Sequence, residues 1–206
     1  MIKVKICGLK RKEDIKYING IVPDYAGFIF AESRRKLEPD KAKRLINMLS
    51  GNIKAVGVFV NEDIDRLIKI YKYTGIEIVQ LHGDEDDEYI EKILEEIEIW
   101  KAVRVRNKED IKKAERYLKN PKISKVLLDA YHEEEYGGSG ISFNWNLIKE
   151  DIDNLILAGG LNQENIERAV LLTEPETVDI SSGVETDGNK DYFKIKNFVE
   201  KVRNIK

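Results

Sequence analysis

The chain has 206 residues, 42% of them apolar and 35% charged, with a formal net charge of −3. That is enough chain for one sizeable core, and the slightly acidic balance gives no reason to expect nucleic acid or an anionic membrane as a partner. One cysteine, Cys7, allows no internal disulfide, and no apolar run approaches the roughly 20 residues of a membrane span, so the sequence reads as a cytoplasmic protein.

From the N-terminus, residues 2–7 form an apolar strand ending at Cys7, followed by Gly8 and a charged segment whose spacing predicts a helix over 12–19. A second strand is expected at 25–30 and a helix at 39–49, with the loop FAESRRKLEP between them. The run KAVGVFV is almost continuously apolar and β-branched, as a strand at 55–60 covered on both faces should be. Ile64, Leu67, Ile68 and Tyr71 fall on one helical stripe within 63–73. A strand at 76–81 leads to His82 and a helix over 85–97; a strand at 99–105 leads to a helix over 108–118; and a strand at 125–129 ends on Asp129. After YGGSG at 136–140, the pattern predicts a helix at 145–150, a strand at 155–158, a helix at 163–171, a strand at 178–180 and a last helix at 192–202.

Eight strand–helix repeats with no linker or composition shift predict a single-domain α/β fold, a (βα)8 TIM barrel over residues 1–206. A doubly wound open sheet uses the same alternation, so the count by itself leaves closure open. In a barrel, functional side chains gather at the C-terminal ends of the strands and in the loops that follow them. Cys7, His82 and Asp129 occupy such positions.

Each of these residues has an ordinary reading. A lone cysteine is commonly a small buried hydrophobe, and a strand-terminal aspartate is commonly a cap or an ion-pair partner. Arg35 alone reads as a solvated cation, His82 as a satisfied polar group and the acidic run at 133–135 as a solvated loop. YGGSG is either a surface turn or a segment that closes over substrate. Two histidines, His82 and His132, without repeated spacing make a zinc site an unfavoured reading.

Together the residues imply more. ILAGGLN puts Gly159 and Gly160 after strand seven, and VDISSGVE puts Ser181, Ser182 and Gly183 after strand eight. Small residues there let backbone N–H groups approach an anion, and barrels often hold phosphate in these two loops. A thiol and a carboxylate across one mouth suit general base and general acid, and a loop arginine suits a second anion. No dinucleotide or nucleotide-phosphate fingerprint is present, so cofactor-free isomerisation of a phosphorylated small molecule is the expected reaction class.

In order along the chain, KICG, GFIF with SRR, VGVFVN, VQLHG, LLDA, YGGSG with FNW, AGGLN and DISSGVE closely resemble the phosphoribosylanthranilate isomerases of tryptophan biosynthesis. The resemblance covers essentially the whole chain and implies a (βα)8 barrel. It implies Cys7 as general base and Asp129 as general acid in an Amadori rearrangement of N-(5'-phosphoribosyl)anthranilate. It further implies Arg35, in preference to Arg34, on the anthranilate carboxylate, Asp179 on the sugar hydroxyls and His82 lining the substrate region. Those roles would require a thiol that ionises readily and an aspartate that is protonated when it acts. Ala130 stands where family members often have a hydroxyl residue. The resemblance leaves open a monomer or a homodimer.

Overall fold

The structure, a computed structural model, describes residues 1–130, 142–148 and 152–205. Eight strands follow one another around a closed barrel, which decides against the open sheet. They are β1 (Lys3–Cys7), β2 (Tyr25–Ile29), β3 (Lys54–Phe59), β4 (Ile78–Leu81), β5 (Glu98–Val105), β6 (Ile123–Ala130), β7 (Leu155–Leu157) and β8 (Thr177–Ile180). Every neighbouring pair is parallel, and β1 closes on β8 with Lys5 opposite Asp179.

Strand side chains alternate between two environments. Val4, Ile6, Ala26, Phe28 and Val126 belong to the large core shared with the helices. The intervening residues Tyr25, Val56, Ile78, Trp100, Leu127 and Ile156 form a second cluster that fills the barrel. There Tyr25 and Trp100 meet edge to face, with centroids 4.8 Å apart. Lys5, Cys7, Gln80, Asp129 and Asp179 share the parity of this inner set, so the pleat that buries the aromatics lower down presents these polar groups nearer the mouth.

The described helices are α1 (Lys12–Ile21), α2 (Pro39–Ile46), α3 (Ile64–Thr74), α4 (Asp87–Glu91), α5 (Lys108–Tyr117), α6 (Ile166–Thr173) and α7 (Tyr192–Asn204). Their ends follow from local chemistry. Asp63 accepts from the Arg66 N–H and Gly75, at φ +83°, stops α3; Asn107 and Asp110 form a capping box on α5; Asp191 accepts from the Phe193 and Lys194 N–H groups on α7.

Two helices differ from expectation. The helix expected over 85–97 shrinks to α4. Asp86 caps it, Glu85 is withdrawn into a buried ion pair with Lys101, and Lys122 Nζ takes the Glu91 and Ile93 carbonyls at the other end. Of the helix expected at 145–150, the structure has a single 3-10 turn, Trp145–Leu147, and residues 149–150 lie outside the described residues. YGGSG, His132 and the acidic run at 133–135 lie outside them as well. Past β8, a 3-10 turn at Ser182–Val184 leads into an unexpected hairpin of β9 (Glu185–Thr186) and β10 (Asn189–Lys190). No described helix is long and apolar enough to cross a membrane.

Candidate active site

A cavity of about 760 Å³, counted out to its open mouth, lies at the C-terminal ends of the strands. Nine of the ten expected residues line it: Cys7, Arg35, His82, Asp129, Gly159, Gly160, Asp179, Ser181 and Ser182. Gly183 is the exception and packs against the Leu161 carbonyl, behind the rim.

Cys7 ends β1 and is 7% exposed. Its register partner is Gly27 on β2, and a Cβ there would lie 2.7 Å from the Cys7 sulfur. Glycine at 27 is therefore what makes room for the thiol. Burial pushes the thiol above its ordinary value; Lys5 and, more weakly, Lys190 pull it back, while Asp179 adds to the rise. Loss of water thus outweighs the nearby cations and holds the thiol up, against the ready ionisation that a general base requires.

Asp129 ends β6. Its Oδ1 accepts from the Ala130 N–H at 2.8 Å, and its Oδ2 faces His82 Nε2 at 3.2 Å. His82 Nδ1 lies 2.8 Å from Gln80 Nε2. With the Gln80 amide donating, the imidazole carries its proton on Nε2 and donates to Asp129. Gln80 and His82 sit two residues apart along the end of β4, on one face. Gly159, at φ +84°, packs so closely over this corner that a Cβ would lie 2.5 Å from the Ala130 nitrogen and 3.0 Å from Asp129 Oδ1.

Arg35 is not the solvated cation that its loop position suggests. It is 4% exposed and chelates Glu185, Nε to Oε1 at 2.8 Å and Nη2 to Oε2 at 2.9 Å. Lys190 Nζ donates to the same Oε1 at 2.8 Å and to the Ser181 carbonyl at 2.8 Å. Burial opposes the charge on Glu185, but the Arg35 hydrogen bonds and Lys190 outweigh it and hold the carboxyl down to about 2. Arg34 is largely exposed, 3.8 Å from Glu185, and does not line the cavity. Ser181 Oγ donates to the Cys7 carbonyl at 3.1 Å, tying the β8 loop to the end of β1.

Comparison with known proteins fits this geometry. The family model for N-(5'phosphoribosyl)anthranilate (PRA) isomerase matches residues 4–201. The chain belongs to the phosphoribosylanthranilate isomerase family. A curated relative, the N-(5'-phosphoribosyl)anthranilate isomerase of Acetivibrio thermocellus, is 50% identical over 98% of this chain and 96% of its own length. The crystal structure of the Thermotoga maritima isomerase has a TM-score of 0.89 at 38% identity, covering 98% of this chain and 99% of that one. Another phosphoribosylanthranilate isomerase, crystallised with reduced 1-(o-carboxyphenylamino)-1-deoxyribulose 5-phosphate, has a TM-score of 0.86 at 36% identity, covering 98% and 99%. A further Thermotoga structure is of monomers made from a dimeric form of that enzyme. Phosphoribosylanthranilate isomerases belong to tryptophan biosynthesis, so this chain is an isomerase of that pathway.

Sequence reasoning missed four polar groups around this isomerase site: Lys5, Gln80, Glu185 and Lys190. A signal existed for the first two, since each lies two residues before a residue already singled out on its strand, Cys7 or His82. No such signal existed for the hairpin pair, whose two-residue strands are too short to show a period.

Proposed function

We propose that the chain converts N-(5'-phosphoribosyl)anthranilate to 1-(2-carboxyphenylamino)-1-deoxyribulose 5-phosphate, with Cys7 as general base and Asp129 as general acid. The observation that carries this reading is a thiol on β1 and a carboxylate on β6 facing one cavity, the carboxylate already held by two N–H donors. Asp129, in its protonated form, gives its proton to the furanose ring oxygen, and the ring opens to a Schiff base. The Ala130 N–H and His82 then stabilise the carboxylate that is left. Cys7, as thiolate, removes the proton from ribose C2 to give an enolamine, and tautomerisation delivers the ketone.

Arg35 receives the anthranilate carboxylate. Because Glu185 occupies its Nε and Nη2 donors, the substrate meets the outer edge of the guanidinium that carries Nη1. The phosphate lies against the loops that hold Gly159, Gly160, Ser181 and Ser182, with Gly183 supporting their packing. Asp179 accepts from a sugar hydroxyl. The scheme uses no metal or cofactor. A dimeric form is known for the Thermotoga relative, and we carry a homodimer over to this chain as the assembly to test by sedimentation.

The test is loss of anthranilate fluorescence from substrate generated in situ, with chelator present throughout. Wild type should turn over, while Cys7→Ser and Asp129→Asn should each be slowed at least about a hundredfold. A folded wild-type protein that leaves the fluorescence unchanged overturns the substrate, and an active Cys7→Ser or Asp129→Asn protein overturns the corresponding role.

A further inference from the structure

Burial holds the Cys7 thiol up, yet the proposed chemistry needs its thiolate. The group placed to resolve this is Lys5. It precedes Cys7 by two residues on β1, so both side chains leave the same face of the strand. Lys5 is fully buried, and its Nζ donates to Oδ2 of Asp179, its register partner on β8, at 2.7 Å. Burial works against the Lys5 charge, while Asp179 and, when it is a thiolate, Cys7 favour it and hold the amine above its ordinary value.

Asp179 is only half engaged. Its Oδ1 is buried with no partner among the described residues, and the residue lines the cavity. An ammonium between a carboxylate and a thiol divides its field between them, and whatever weakens its hold on the carboxylate strengthens its effect on the sulfur. The other cation acting on the thiol, Lys190, is committed to Glu185 and to the Ser181 carbonyl, so Lys5 is the one whose share can change.

We propose that Lys5 is the positioning residue for proton abstraction: shared between Asp179 and the Cys7 sulfur, it stabilises the thiolate, and a substrate hydroxyl donated to Asp179 Oδ1 moves that share toward the sulfur. The base is thereby strengthened when substrate arrives. This inference rests on Cys7 acting as the base.

The test reads the thiolate directly. Cys7 is the only cysteine, so iodoacetamide uptake followed against pH reports its ionisation without turnover. An opposite charge a few ångströms away shifts a titration by about one unit or more, and one unit is about tenfold in thiolate below the midpoint. Lys5→Gln, which leaves the Asp179 charge beside the sulfur, should alkylate about tenfold more slowly with its midpoint moved to higher pH. Asp179→Asn, which frees the ammonium for the sulfur, should alkylate about tenfold faster with its midpoint moved down. Lys5→Arg should stay near wild type, and the double variant carrying both neutral replacements should fall between wild type and Lys5→Gln, because Lys5 acts on the thiol more strongly than Asp179 does. In turnover, Lys5→Gln should lose kcat with KM changed less than about twofold.

A Lys5→Gln profile superimposable on wild type overturns the inference, as does slower alkylation in Asp179→Asn. If Lys5→Gln does not fold, Asp179→Asn and the double variant decide. The two readings fail separately: an active Cys7→Ser protein removes the base itself, whereas an inactive Cys7→Ser protein with an unchanged Lys5→Gln profile removes only the role of Lys5.

Discussion

Glu185 is the anion around which the cationic rim of the cavity is assembled, and neutralising it is the most informative single perturbation of the fold around the site. Its side chain is 6% exposed and bonds to Arg35 through two hydrogen bonds and to Lys190 through one. Its carboxyl is lowered from 4.5 to about 2 in the folded protein, despite burial, by Arg35 and Lys190. At about 1.4 kcal/mol per unit, this corresponds to about 3 kcal/mol of stability contributed by the charged form. The sign follows from the direction: a depressed carboxyl stabilises fully above its unfolded value and loses that contribution as pH falls toward its folded value. Glu185→Gln should therefore lower the unfolding free energy by about 3 kcal/mol at neutral pH, measured by urea denaturation. The gap from wild type should close as the pH is brought down from 4.5 toward about 2, where the wild-type carboxyl is itself protonated. Freed from its clamp, Arg35 should also raise KM more than it lowers kcat. A loss under about 1 kcal/mol, the range of exposed ion pairs, or a gap that persists unchanged into acid would refute the reasoning.

Two further substitutions test the packing that positions the chemistry. Gly27→Ala puts a methyl group 2.7 Å from the Cys7 sulfur, so kcat should fall at least about tenfold, for a stability cost of about 1–3 kcal/mol by urea denaturation; wild-type turnover in this variant would show that the thiol has slack. Lys101→Met leaves the buried Glu85 carboxylate, held otherwise by the Asn61 and Gly83 N–H groups, without the cation it meets at 2.9 Å, both side chains being 1% exposed, and should cost about 3–5 kcal/mol. Adding Glu85→Gln should recover part of that loss, and a double variant less stable than Lys101→Met would contradict the ion-pair account.

The fold was legible because burial on both sides leaves a simple trace in a parallel strand. KAVGVFV shows only apolar residues after its first position, and β3 is buried at all positions but that lysine. Strand ends then pointed to Cys7 and Asp129, since a polar group terminating an apolar run has few places to face other than the mouth. What the sequence hid were competitions between local and distant partners. Glu85 opens the expected helix in sequence, yet it ion-pairs with the buried Lys101, sixteen positions away, and lies outside α4. Arg34 and Arg35 are chemically the same and adjacent. Only the hairpin that brings Glu185 back over the loop makes one a buried clamp and leaves the other in solvent.

The same contrast applies to ionisation. A thiol at a strand end can be named from its position, but its readiness to lose a proton depends on what loses water beside it. Here the answer lies on two distant parts of the chain that barrel closure brings together: Lys5 on β1, and Asp179 on β8 with Lys190 on the hairpin that follows it. Residues 5 and 179 become neighbours because the last strand pairs with the first, so the electrostatic control of Cys7 exists only in the closed barrel. A chain that formed every βα unit but failed to close would keep the thiol and Lys5 on β1 but lose Asp179 and Lys190, the groups that balance and share that cation.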